Sequence, residues 1–208
     1  GHYCEEGSGA PTQCPRGTNS SLLGLNASTQ CSNCTAGFYC PENATVYAQL
    51  RCPAGYFCPA GTAVPTRRCP VGTYCPEGQA APINCPAGQY NYDEGNPVCD
   101  ACPAGYYCEE GNSVPVICPK GSYCLLSTGN ALQWKCPAGT FNNRTGAENI
   151  TECSPCTAGS YCAEAGLEVP TGLCSAGHFC AKASSLQMPL SDASEQNGYI
   201  ITETGGVA

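Results

Sequence analysis

The residues that ordinarily build a core are scarce in this chain. Leu, Val, Ile and Phe total 28 of 208 residues, with one Met and one Trp. Below roughly a fifth, a sequence cannot bury enough apolar surface to offset chain entropy unless something else ties it together. That excludes a helical bundle and an enzyme domain with one large core. Positive charge is scarce too: 8 Lys and Arg stand against 16 Asp and Glu, and no basic cluster exceeds the pair Arg67–Arg68. Phosphate binding needs a basic stripe, so nucleic acid is not an expected partner. No apolar run approaches the ~18 residues that span a bilayer, so no membrane span is expected here. There is no signal peptide, although the features below require secretion, so the chain is expected to be a mature segment or a slice.

What is abundant is cysteine, with 21 residues, beside 25 Gly and 18 Pro. Cysteine at this density persists as disulfide only in an oxidising place. Six N-x-[ST] sequons, at Asn19, Asn26, Asn33, Asn43, Asn143 and Asn149, agree with that compartment. Chance would give about two. Asn33 has cysteine in its middle position and is the poor acceptor. Asn19, Asn26, Asn43, Asn143 and Asn149 are therefore the expected sites of N-linked glycans, on an extracellular or cell-surface chain.

The cysteines repeat. Seven copies of C-x-x-G-x-[YF]-C occur, at 34–40, 52–58, 69–75, 102–108, 118–124, 156–162 and 174–180. Three half-copies, CPRGTNS (14–20), CPAGQYN (85–91) and CPAGTFN (136–142), keep the first cysteine and the glycine but lack the closing cysteine. After each half-copy comes a loop and a C-x-x-C, at Cys31–Cys34, Cys99–Cys102 and Cys153–Cys156. Proline after the first cysteine fixes φ and favours a turn. Glycine at the fourth position permits positive φ or a close backbone approach, as in a type II turn against a bridge. The aromatic before the second cysteine is expected to lie over a disulfide or the next module's turn. A proline 7 to 9 residues past the closing position, such as Pro65 or Pro82, marks a second turn. No window free of Gly and Pro carries 3.6-periodic apolar residues, which leaves short hairpin strands. The expected fold is small and disulfide-rich: a tandem, elongated array of short β-hairpin and loop modules with almost no helix.

The run CPAG-[TQ]-x … C-x-x-CPAG-x-Y-C resembles the GCC2/GCC3, or ephrin-receptor-like, cysteine-rich repeat. That family is a cousin of the tumour-necrosis-factor-receptor and growth-factor-receptor cysteine-rich modules. The resemblance covers residues 1 to about 190. It implies disulfide-stacked modules in secreted or surface proteins, flagellar hair (mastigoneme) proteins among them, and no single activity. The implied divisions are the end of a preceding module (1–13), module 1 (14–68), an inserted C-x5-C unit (69–84), module 2 (85–135), module 3 (136–190) and a tail without cysteine (191–208). In the tail, 197–204 reads as a turn and a short β-branched strand.

Carried over by position, the receptor-type pairing is first–second, third–fifth and fourth–sixth. It implies Cys14–Cys31, Cys34–Cys52 and Cys40–Cys58; then Cys85–Cys99, Cys102–Cys118 and Cys108–Cys124; then Cys136–Cys153, Cys156–Cys174 and Cys162–Cys180. Cys69 would pair with Cys75. Spacing alone does not choose among the 15 connectivities that six cysteines allow. Cys4 is left over and reads as the last cysteine of a preceding module.

No constellation points to catalysis. The two histidines, His2 and His178, both sit in the variable slot of the repeat. The C-x-x-C pairs have zinc-ligand spacing, but each lies inside a six-cysteine module. Glu5–Glu6 and Glu109–Glu110 follow motif cysteines and read as solvated faces. No enzyme, no cofactor and no metal are expected. Two functions fit. One is a structural, glycosylated, protease-resistant rod segment that self-associates or co-assembles in a surface filament, flagellar hair or coat. The other is a ligand-binding receptor ectodomain, for which the departures from consensus, Leu125, Leu126, Leu132 and Trp134, are the contact candidates.

Overall fold

The structure is a computed structural model that describes residues 1–41 and 49–189. The expected strand at 197–204 lies outside the described residues. The chain divides into two compact units, Gly1–Asp100 with Glu110–Val114, and Ala101–Glu109 with Pro115–Ala208.

Among the described residues there is no α-helix, and every strand is two residues long. These strands pair as two-stranded sheets, for example Phe38–Tyr39 with Leu50–Arg51 and Ser160–Tyr161 with Gly172–Leu173, both antiparallel. Small disulfide-rich hairpin modules are therefore the fold.

The turn inside the motif explains why the chain takes this form. In 52–58, Tyr56 N–H donates to the Pro53 carbonyl at 3.1 Å, and Gly55 has φ 84°. A bond from i+3 to i with positive φ at i+2 is a type II turn. Thr18 to Pro15, Thr73 to Pro70, Tyr106 to Pro103 and Thr140 to Pro137 repeat that bond. The reversal leaves the two cysteines of a full motif with Cα atoms 5.8–6.1 Å apart, inside disulfide range.

Each full motif therefore closes on itself. The bridges are Cys34–Cys40, Cys52–Cys58, Cys69–Cys75, Cys102–Cys108, Cys118–Cys124, Cys156–Cys162 and Cys174–Cys180. This corrects the interlaced pairs implied by the receptor resemblance. Cys34–Cys52, Cys40–Cys58, Cys102–Cys118, Cys108–Cys124, Cys156–Cys174 and Cys162–Cys180 do not form. Five residues between two cysteines are enough to complete the turn, and the nearest thiol is then the motif's own. In the half-copies the closing cysteine is missing, and the opening one reaches the C-x-x-C instead: Cys14–Cys31, Cys85–Cys99 and Cys136–Cys153. Two of these loops end in one 3-10 turn, Ser28–Gln30 and Ile150–Glu152. Gln30 and Glu152 accept backbone N–H bonds from residues three and four earlier, which delivers the chain to Cys31 and Cys153.

The core consists of these bridges. Apart from Ala147, every buried apolar side chain among the described residues is a cysteine. The motif aromatics are only half-buried. Phe38, at the fifth position, packs against Cys34 and Cys40. Sixth-position rings lie instead against the returning segment: Phe57 under Arg67, Tyr123 under Trp134, and Tyr161 against Gly172.

Successive motifs are joined by four backbone hydrogen bonds. In the first unit, between 52–58 and 69–75, Gly55 N–H donates to the Cys75 carbonyl and the Gly55 carbonyl accepts from Cys69 N–H. Gly78 N–H donates to the Cys52 carbonyl, and Cys58 N–H to that of Gln79. In the second unit, between 118–124 and 136–142, Gly121 bonds Asn142 and Cys136, Gly146 bonds Cys118, and Cys124 bonds Ala147 in the same pattern. The pattern recurs at every junction from 34–40 to 85–91 in the first unit, and from 102–108 to 174–180 in the second. The Cys69–Cys75 motif makes the same bonds as its neighbours. The repeating unit of the fold is thus one motif and its trailing turn.

The motif glycine is also approached closely. A methyl placed on Gly55 would overlap the carbonyl of Gly95, which trails the second motif downstream. In the trailing turn the donor residue has positive φ. It is glycine at most junctions, but Ser127 (φ 62°) and Ala183 (φ 67°) take the same place.

Half-copies keep this pattern without a cysteine. Asn91 and Asn142 occupy the closing position and are buried. Their backbone carbonyls accept from Gly72 and Gly121, as a cysteine's would. Their side-chain amides then cap the preceding motif: Asn91 Nδ2 donates to the Thr73 carbonyl at 2.6 Å, and Asn142 Nδ2 to the Ser122 carbonyl at 3.1 Å. Asn91 Oδ1 accepts from Asn96 Nδ2, and Asn142 Oδ1 from Arg144 N–H. A buried amide satisfied in this way replaces a half-bridge at little cost. Ser20, in the first half-copy, is buried at the same position.

Candidate interaction surface

The two histidines do not assemble a site. His2 is exposed in the strand His2–Tyr3, and His178 is half-buried, with its Nδ1 unbonded. Among the described residues, no group of three or more His, Cys, Asp and Glu is placed to hold a metal ion. Glu5, Glu6, Glu109 and Glu110 are exposed, and Glu110 Oε1 accepts from Asn84 Nδ2 at 3.2 Å. Cys4 is exposed and unbridged.

Two places in the structure present side chains outward on one common frame. In the first unit, Phe57 N–H donates to the Arg67 carbonyl and Tyr56 bridges Arg68. In the second, Tyr123 N–H donates to the Trp134 carbonyl and Ser122 bridges Lys135. Arg67 and Trp134 are thus structurally equivalent, and each covers the ring that precedes its motif's closing cysteine. The Arg67 guanidinium carbon stands 6.0 Å from the Phe57 ring centre, and that of Arg68 stands 6.0 Å from the Tyr56 ring centre. Trp134 stacks on Tyr123 with ring centres 6.3 Å apart and an interplanar angle of 26°.

The expected receptor-contact residues all lie in the second unit. Trp134 is 38% exposed, Leu125 38%, Leu126 67% and Leu132 62%. Trp134 is held by Tyr123 within the second unit, and the leucines are left in solvent. In the first unit, the frame opens into a cleft of about 370 Å³ lined by Phe57, Pro59, Ala63, Val64 and Arg67, among others. Sequence reasoning missed this cleft. Its one signal was the Arg67–Arg68 doublet, unique in an acidic chain.

The sequons fall in unlike surroundings. Asn19 is 3% exposed, and its Nδ2, the atom that would carry a glycan, donates to the Asn33 carbonyl. It contributes to the core rather than standing in solvent. Asn26, Asn33, Asn143 and Asn149 are exposed. Asn149 Oδ1 caps the 3-10 turn through Thr151 N–H and accepts from Thr151 Oγ1. Asn43 lies outside the described residues.

No helix among the described residues is long and apolar enough to cross a membrane. Compared with protein-family models and with curated proteins, the chain matches none.

Proposed function

We propose that this chain is a structural, rod-like segment of a glycosylated extracellular protein of the GCC2/GCC3 type, working within a surface filament, flagellar hair or coat through self-association or co-assembly. The observation that carries this reading is the junction of four backbone bonds, repeated from motif to motif around locally closed bridges. Such a design propagates along a chain without a central core and offers proteases no long unbridged segment within the array. Ten bridges support an oxidising, extracellular setting. Negative-stain imaging of the bridge-intact chain is the test. End-to-end or lateral assembly is expected, whereas a monodisperse monomer that binds a soluble ligand at nanomolar concentration would overturn the proposal.

Glycan occupancy follows from the surroundings of each sequon. Mass spectrometry of glycopeptides from the secreted chain is expected to find Asn26, Asn143 and Asn149 occupied and Asn19 bare. A glycan on Asn19 would require the buried amide to leave its bond to Asn33, and finding one would refute the assignment.

A receptor ectodomain is the second reading, favoured by Leu126 and Leu132 standing exposed in the same unit as the Tyr123–Trp134 stack. Exposed aromatic anchors of this kind are common at interfaces. For the structural reading, Trp134→Ala costs about 1 kcal/mol of stability, the worth of an aromatic pair. Thermal unfolding of the oxidised chain measures it. An unchanged melting temperature together with loss of an interaction would favour the receptor.

A further inference from the structure

We propose that the Phe57–Arg67 cleft in the first unit is a docking site for a short acidic peptide segment that carries an apolar side chain beside its carboxylates. This goes beyond the structural reading and does not depend on it.

The cleft's lining is mixed, with Phe57, Pro59, Ala63 and Val64 apolar, Thr62 and Thr66 polar, and Arg67 on one side. Its volume of about 370 Å³ lies at the small end of ligand clefts, roughly 300–1,000 Å³. That suits a side chain and its neighbours rather than a polymer lying at length. The Arg67 guanidinium carbon stands 6.0 Å from the Phe57 ring centre, the outer reach of a cation–π contact. A guanidinium at that distance keeps N–H donors that can grip a carboxylate in two parallel bonds. Neither Arg67 nor Arg68 forms an ion pair among the described residues. Arg67 lines the cleft, whereas Arg68 lies outside it beside Gly95, so a single cation with its donors unspent offers the site's positive charge.

Charge selects among anions. The chain carries −8 overall, and Arg67–Arg68 is its one pair of adjacent basic residues. A long polyanion would meet repulsion beyond Arg67, whereas a peptide with one or two carboxylates meets chiefly that cation. The apolar part of the lining, Phe57, Pro59, Ala63 and Val64, rewards an aliphatic neighbour that a sulfated sugar lacks.

The second unit supplies the control, because Trp134 takes the place of Arg67 on the same frame. Arg67→Trp therefore keeps a stacking partner for Phe57 while removing the charge, and Arg67→Gln removes both. The experiment titrates the oxidised, 15N-labelled full chain with acetyl-Gly-Leu-Asp-Glu-Leu-Gly amide and with its Asn-Gln counterpart. Shifts confined to residues 56–68 are expected, with the acidic peptide binding about fivefold more tightly and the preference lost in both variants. Unchanged shifts outside 56–68 certify that each variant folds. The proposal fails if neither peptide moves these residues, if both bind alike, or if the variants keep the preference. It also fails if a heparin tetrasaccharide moves the same residues more strongly, which would assign the cleft to polyanions. Shifts at 56–68 that grow with protein concentration alone would assign it to a second copy and equally overturn it.

Discussion

Reduction of the ten bridges is expected to unfold the chain completely rather than loosen it. Among the described residues, every buried apolar side chain but Ala147 is a cysteine, so reduction leaves these residues no apolar core to fall back on. In the chain-entropy account, a bridge closing a loop of about seven residues contributes about 2.4 kcal/mol, and one closing about eighteen contributes about 3.2 kcal/mol. A folded domain has only about 5–15 kcal/mol in total. Losing a few bridges therefore exceeds what is available, even allowing for non-additivity. The remaining backbone bonds join strands of two residues, and isolated two-stranded hairpins are marginal in water. The amide proton NMR spectrum with and without dithiothreitol checks this. Collapse of the dispersion to random-coil values is expected, and a dispersed spectrum after reduction would mean that the backbone bonds suffice alone.

Gly55→Ala is expected to be among the costliest single substitutions in the first unit, and Gly78→Ala measures why. Both glycines have positive φ, 84° and 82°. A methyl on Gly78 meets nothing within 4 Å, so its cost is the left-handed backbone alone, about 1–2 kcal/mol. A methyl on Gly55 meets the backbone carbonyl of Gly95, which cannot rotate away as a side chain would. Relief requires shifting the turn that trails the second motif downstream, and with it the bond that Gly95 N–H donates to the Cys69 carbonyl. The expected loss is about 3 kcal/mol or more. Guanidinium unfolding of the oxidised variants compares them directly. Equal losses would show that φ, not close approach, is what demands glycine in the motif.

Much of this architecture is legible in the residues themselves. Poverty in aliphatics and wealth in cysteine select a bridged fold, and Pro and Gly at fixed offsets define the turn at 52–58. Bridging within the motif is legible in the same turn, since a reversal over five residues leaves its ends within bonding distance. The receptor analogy points elsewhere because its modules space these cysteines differently. The role of Asn91 and Asn142 has a signal as well, for asparagine stands at the closing position of two half-copies. What it caps is a carbonyl 18 or 20 residues away, and nothing local records that distance. The approach of Gly95 to Gly55 is hidden for the same reason. The burial of Asn19 escapes a sequon search, which reads three residues and not the cysteine 21 positions on against which its amide rests.

Local closure also has a mechanical consequence. Each full motif is covalently sealed by its own bridge, whereas most junctions between motifs are held by hydrogen bonds with no bridge across them. Under tension, the joints part before the links deform. A pulled chain lengthens one junction at a time and hides little length inside its seven-residue loops. Each parted junction keeps its bridges and can re-form when the load is removed. Interlaced bridges would instead lock motif to motif and pass the full force to the covalent backbone.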